Sequence, residues 1–340
     1  MEDIELNDKA TLNSYKTICA KLGLVMCVYY VCRMLNAVIS SVIAVQAAFL
    51  GSSVAYILST ITAIVFAYII PIFAAMAFFN GFDRYSRKFR ELYKKPKRLA
   101  RAIGSFPAMY GLGYGIALLT LLTSMLLTKF AGEKSLIDEL FRPTTLEPSS
   151  DIVSVLAMFI LMVVAAPIFE EFLVRGIMFD ALRPYGCGMA IIISSVLFGL
   201  MHGSLYMLFY TTALGFALAY IRYATGSLFA STILHAIINS VSGMLLLISS
   251  LSEITNGESK LINTALGIYS LAMLILIFLG LIVFIRKIPT IRKYRFDNEW
   301  TAVGVGRKMA LFLVSAPVLI MLALAANEHT NYWLLKLIIS

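Results

Sequence analysis

The sequence predicts an all-α, polytopic membrane helix bundle with about 8–9 transmembrane helices. Three observations carry this reading. Of 340 residues, 60% are hydrophobic and only 14% charged. The mean hydropathy is +0.87. The apolar runs are long and continuous, unlike the alternating ten-residue segments of a membrane β-barrel. A soluble domain is about half apolar and a quarter charged, and an excess of this size cannot be hidden in one core. Disordered, collagen-like, disulfide-scaffold and ordinary cytosolic classes are thereby excluded.

A hydrocarbon core about 30 Å thick requires about 20 apolar residues per helix. Runs that meet this lie near 18–49, 53–79, 105–128, 152–182, 188–202, 205–221, 227–250, 263–285 and 308–326, nine in all. The stretch from Tyr332 to Ile339 is too short to cross. By where the chemistry falls, the chain divides into N-terminal spans with a basic cytoplasmic loop (1–104), a candidate catalytic core (105–250) whose motifs run from 170 to 239, and C-terminal spans (251–340).

The net charge is +9, and it is concentrated. Nine basic residues fall between Arg84 and Arg101 and seven between Arg286 and Lys308. These runs lie between apolar segments, so by the positive-inside rule they read as cytoplasmic loops and not as a nucleic-acid surface. The loop 129–151 on the other side carries Glu133, Asp138, Glu139, Glu147 and Asp151. This asymmetry places the N-terminus in the cytoplasm of a multi-pass cell-membrane protein; the chain's compactness suits a bacterial plasma membrane. The polar, acidic start MEDIELNDKATLNSYK does not read as a cleavable signal peptide. Four cysteines without a CxxC spacing argue against disulfides and a cysteine zinc site.

Ionisable groups at membrane depth are costly and point to function. Six stand out: Arg33, Glu170, Glu171, Arg175, His202 and His235. Arg33, with Asn36 three residues on, reads as a structural contact to an interface or a neighbouring helix. The other five form spaced sets. In APIFEEFLVRG, Glu171 and Arg175 are four apart with the acid first, the favourable ion-pair order. Glu170 projects about 100° away, so the two carboxylates are expected to serve separate tasks. Pro167 should loosen the backbone just before them. Phe198 and His202 share a helix face, as do His235 and Asn239. Measured from the basic face at helical rise, Glu170, His202 and Asn239 all lie about 20 Å deep, with His235 at about 13 Å. Polar groups from three helices thus converge on one slab of the bilayer.

A carboxylate and a neutral imidazole can orient and deprotonate water. A second histidine with an asparagine one turn on supplies donors for a developing oxyanion. That equipment suits amide hydrolysis by Glu170 and His202 with His235 and Asn239 at the oxyanion. No cofactor is required in this reading. Zinc held by Glu170, His202 and His235 is the open alternative, although H-E-x-x-H is absent. A proton-coupled transporter and a non-catalytic immunity protein binding a peptide in the same cavity are the rival classes.

The succession EEFLVR, F-x-x-x-H and H-x-x-x-N on separate spans resembles the CPBP family, which comprises type II CAAX prenyl endopeptidases and bacterial Abi-type intramembrane proteases. The resemblance covers about residues 150–245. It implies an intramembrane endopeptidase in which Glu170 and His202 activate water and His235 and Asn239 bind the oxyanion, with Glu171, Arg175 and Phe198 in support. The family has been described both as metalloprotease and as glutamic protease. Its type II CAAX members remove the last three residues of prenylated proteins, and its bacterial members are linked to bacteriocin immunity and peptide maturation. The implied partners are a membrane-associated peptide or protein substrate and the lipid bilayer, with no nucleic acid; the oligomeric state is left open.

Overall fold

The computed structural model describes residues 2–79, 91–96, 99–131, 151–293 and 303–329. The described residues are overwhelmingly helical, with no strand among them. In chain order the helices are α1 (Glu2–Val45), α2 (Ser52–Phe78), α3 (Leu99–Phe130), α4 (Ile152–Tyr185), α5 (Cys187–Leu200), α6 (Leu205–Thr225), α7 (Leu228–Ile254), α8 (Lys260–Lys293), α9 (Val305–Leu313) and α10 (Ala316–His329). Half of the basic run 84–101, most of the acidic loop 129–151 and the middle of the run 286–308 lie outside the described residues.

Seven of these helices are long and apolar enough to cross a membrane, and an eighth crossing results if α9 and α10 count as one. The nine runs read from the sequence are corrected at two places. The run 188–202 is a helix of 14 residues, about 21 Å long and short of a full crossing. It turns back through residues 201–204 into α6, which packs along it. The run 308–326 is bent by 69° between α9 and α10. Pro317 stands at the second position of α10, where its missing N–H is tolerated but it cannot prolong a preceding helix.

Helix α4 starts on Asp151, whose carboxylate accepts from the backbone N–H of Val153 (3.3 Å) and Ser154 (3.1 Å) and from the Ser154 hydroxyl. The helix widens to π geometry over Leu161–Ala165 and again over Phe172–Met178. Pro167 lies between the two wide segments and removes one helix hydrogen bond. The Glu170–Glu171 pair stands between two such segments, a position π-turns favour for functional groups.

Two apolar cores hold the bundle. One joins α1, α4, α5 and α10 through Leu22, Met26, Leu173, Ile177, Leu197 and Val318. The other joins α3, α6 and α7 through Met109, Leu214, Leu218, Leu234 and Ile238. Helix α8 leaves Ile268, Leu271, Ile275, Phe278 and Ile282 exposed, the surface expected of a helix facing lipid. It meets α3 backbone to backbone: a Cβ on Gly111 would lie 2.3 Å from the Gly280 carbonyl carbon. Without a hydrophobic drive between helices in lipid, such close small-residue contact is what holds them together.

Candidate active site

The polar groups of α4, α5 and α7 meet around Phe198. Glu171 and Arg175, four residues apart on α4, form an ion pair of 2.8 Å with both side chains fully buried. Arg175 also donates through Nη2 to the Gly215 carbonyl on α6 at 3.1 Å. Its guanidinium carbon lies 4.1 Å from the centre of the Phe198 ring, a desolvated cation–π contact. Phe198 makes edge contacts with both histidine rings, at 4.8 Å for His202 and 5.5 Å for His235. One aromatic ring therefore touches the Arg175 guanidinium and both imidazoles.

His235 stands between the two carboxylates. Its Nδ1 is 3.2 Å from Glu171 Oε1, and its Nε2 is 3.8 Å from Glu170 Oε2. With Glu171 ionised, Nδ1 carries the hydrogen and donates. The two carboxylates occupy successive positions on α4. They do diverge from the helix, but an imidazole offers a nitrogen on either side and touches both. Glu170 is 12% exposed while Glu171 is fully buried, so only Glu170 is open to an incoming molecule. Its Oε1 accepts from the Tyr68 hydroxyl of α2 at 3.1 Å, and Tyr68 stacks on Phe169 with ring centroids 5.5 Å apart.

His202 lies in the turn after α5. Its Nδ1 is 2.8 Å from the Phe198 carbonyl oxygen, which fixes the hydrogen on Nδ1 and leaves Nε2 as an acceptor. Glu170 lies within electrostatic reach of this ring. Asn239 shares the His235 face of α7, and its Nδ2 donates to the Met162 carbonyl at 2.8 Å. Met162 belongs to the first π segment of α4, where a carbonyl loses its regular partner. One amide hydrogen of Asn239 is thereby used and the other remains. Arg33 pairs with Glu328 of α10 at 2.6 Å, a contact to a neighbouring helix as its position in the first span implies.

Among the described residues, no three His, Cys, Asp or Glu side chains are grouped so that they could hold a metal ion. Glu170, His202 and His235 are thus near one another without forming a ligand set. Several groups at the site have no signature in the motifs: Tyr68 on α2, the Gly215 and Met162 carbonyls, and Tyr29 and Tyr30 of α1, whose hydroxyls reach the end of α5. A tyrosine in an apolar helix leaves no spacing pattern, and a backbone carbonyl leaves none at all.

Residues 152–241, about a quarter of the chain, match the family described as Type II CAAX prenyl endopeptidase Rce1-like. The matched stretch runs from the start of α4 to the middle of α7 and holds Glu170, Glu171, Arg175, Phe198, His202, His235 and Asn239. Comparison with curated proteins and with solved structures returns no match.

Proposed function

We propose, from the match of residues 152–241 to the family described as Type II CAAX prenyl endopeptidase Rce1-like, that this protein hydrolyses a peptide bond of a membrane-associated substrate, prenylated or bacteriocin-like. The water is activated by Glu170 and His202. The observation that supports this best is the asymmetry of the carboxylate pair: Glu171 is locked in a buried ion pair, whereas Glu170 is accessible, steadied by Tyr68 and adjacent to His235.

In this reading water binds between Glu170 and the free Nε2 of His202. Its oxygen attacks the scissile carbonyl carbon while Glu170 takes the proton. The resulting oxyanion accepts from the unused amide hydrogen of Asn239 and from Nε2 of His235 in its protonated form. Glu171 keeps the Nδ1 hydrogen in place and supplies the countercharge. When the carbon–nitrogen bond breaks, Glu170 returns its proton to the departing amine. The chain's own groups balance every proton, and the reading needs no cofactor. The N-terminus is proposed to face the cytoplasm, with the basic loops.

The test is a cleavage assay in liposomes, read by mass spectrometry, with peptides bearing a farnesylated cysteine before three aliphatic residues and their unmodified counterparts. Wild type is expected to cleave, His202→Ala to lose cleavage, and a zinc chelator to leave the wild-type rate unchanged. Undiminished cleavage by His202→Ala would overturn the site assignment, and a chelator-sensitive rate would replace the glutamate mechanism by a metal one.

A further inference from the structure

The end of α5 presents a problem that the motifs do not address. The last four carbonyls of a helix, counted to its C-cap, have no partners within it, and α5 stops about 21 Å from its start, with Met201 as its C-cap. The structure accounts for all four. The Phe198 carbonyl oxygen accepts from His202 Nδ1 at 2.8 Å, and that of Gly199 from the His202 backbone N–H at 3.2 Å. The Leu200 carbonyl accepts from the Tyr30 hydroxyl and the Met201 carbonyl from the Tyr29 hydroxyl, each at 2.7 Å. His202 and two tyrosines of α1 together form the cap.

The tyrosine side of the cap is itself anchored. Arg33, one turn beyond Tyr29 on α1, donates through Nη1 to the Tyr29 hydroxyl at 3.4 Å. Its Nε and Nη2 both lie 2.6 Å from Glu328 Oε1 on α10. This pair rests on the turn: Gly203 has φ +68°, and a Cβ there would lie 2.8 Å from Glu328 Oε1 and 3.1 Å from Arg33 Nη2. A cation beside the C-terminus of a helix is also favoured by the helix dipole. Helices 295 residues apart in sequence, both outside the matched segment, meet at the turn that carries His202.

We propose that Tyr29, Tyr30 and the Arg33–Glu328 pair are positioning residues for His202: they hold the end of α5 so that Nδ1 stays bound to the Phe198 carbonyl and Nε2 faces the reacting water. The catalytic consequence rests on the endopeptidase reading above; the structural consequence does not.

The experiment uses the full chain in nanodiscs with ¹⁵N-labelled histidine, and compares wild type, Tyr29→Phe, Glu328→Gln and the charge swap Arg33→Glu with Glu328→Arg. The chain has three histidines, so their ring signals are assigned by single substitutions. In Tyr29→Phe and Glu328→Gln the His202 ring signals and their pH titration are expected to shift while those of His235 stay. With the farnesylated peptide, kcat is expected to fall about 10–100-fold with KM held within about twofold, and the swap to recover most of the loss relative to Glu328→Gln. Unchanged His202 signals in both single variants would overturn the proposal. So would His202 and His235 signals moving together without rescue by the swap, since that reports loosening of the whole bundle. If wild type cleaves no peptide, the endopeptidase reading fails and the histidine signals still decide the positioning role.

Discussion

Replacing Glu171 by glutamine keeps the side-chain shape and removes one charge from a pair that has no exposure on either side. Arg175 would keep the Gly215 carbonyl and the Phe198 face, neither of which carries a formal negative charge. Removing one partner of a buried ion pair costs about 3–5 kcal/mol. At about 2–4 °C per kcal/mol, the apparent Tm should fall by roughly 6–20 °C. Function should suffer separately. The neutral amide supplies no countercharge to a protonated His235, and loss of an oxyanion donor lowers kcat by about 10²–10³-fold. The assay is a thermal melt in detergent beside peptide cleavage, with the double variant Glu171→Leu, Arg175→Met for comparison. Removing both charges together leaves no stranded cation, so the double variant should melt above Glu171→Gln while remaining inactive. A Glu171→Gln protein that melts with wild type, or a double variant that melts below it, would refute the argument that the pair is a mutually dependent buried frame.

Three further outcomes are expected. Tyr68→Phe removes a donor to the Glu170 carboxylate, a hydrogen bond to a charged group of about 1.5–3 kcal/mol; kcat should drop by at least about tenfold with the Tm nearly unchanged, and a wild-type kcat would remove Tyr68 from the site. Gly111→Ala drives a Cβ into the α8 backbone at Gly280, so a melt in detergent should show a loss of about 1–3 kcal/mol, and an unaltered melt would contradict the close crossing. The hydrogen bonds from Ser154 and from the backbone amides of Ser154 and Val153 hold the Asp151 carboxyl below its usual range. A depressed folded-state value means its contribution is complete above the ordinary carboxylate range and is lost as pH falls through the folded value. The protection of the Val153 and Ser154 amides, measured as exchange relative to the intrinsic rate at the same pH, should therefore weaken in acid in wild type, and show little such change in Asp151→Ala.

The contacts legible in the sequence are the local ones. Four-residue spacing brings Glu171 to Arg175 and Phe198 to His202, because it is the repeat of the helix itself. Hydropathy was equally direct about helix content, since lipid-facing helices need long apolar runs whatever they pack against. The illegible parts depend on distant chain segments or on backbone geometry. Hydropathy extended the fifth run to residue 202, but the helix stops at Leu200 and a left-handed glycine turn follows. Tyr68 reaches Glu170 across 102 residues and Arg33 reaches Glu328 across 295; neither pair leaves a periodic trace. The π segments of α4 flank the two carboxylates and lend Asn239 a carbonyl, and nothing in the residue types beyond Pro167 announces them.

The most direct test of the central assignment is single-turnover cleavage of the farnesylated peptide in H₂¹⁸O by wild type and Glu170→Gln, with mass analysis of the new C-terminus. Water activated by Glu170 places one ¹⁸O in that carboxyl group in wild type and gives no product in Glu170→Gln. Product from Glu170→Gln at the wild-type rate, or a wild-type product whose new carboxyl carries no label, would contradict the account.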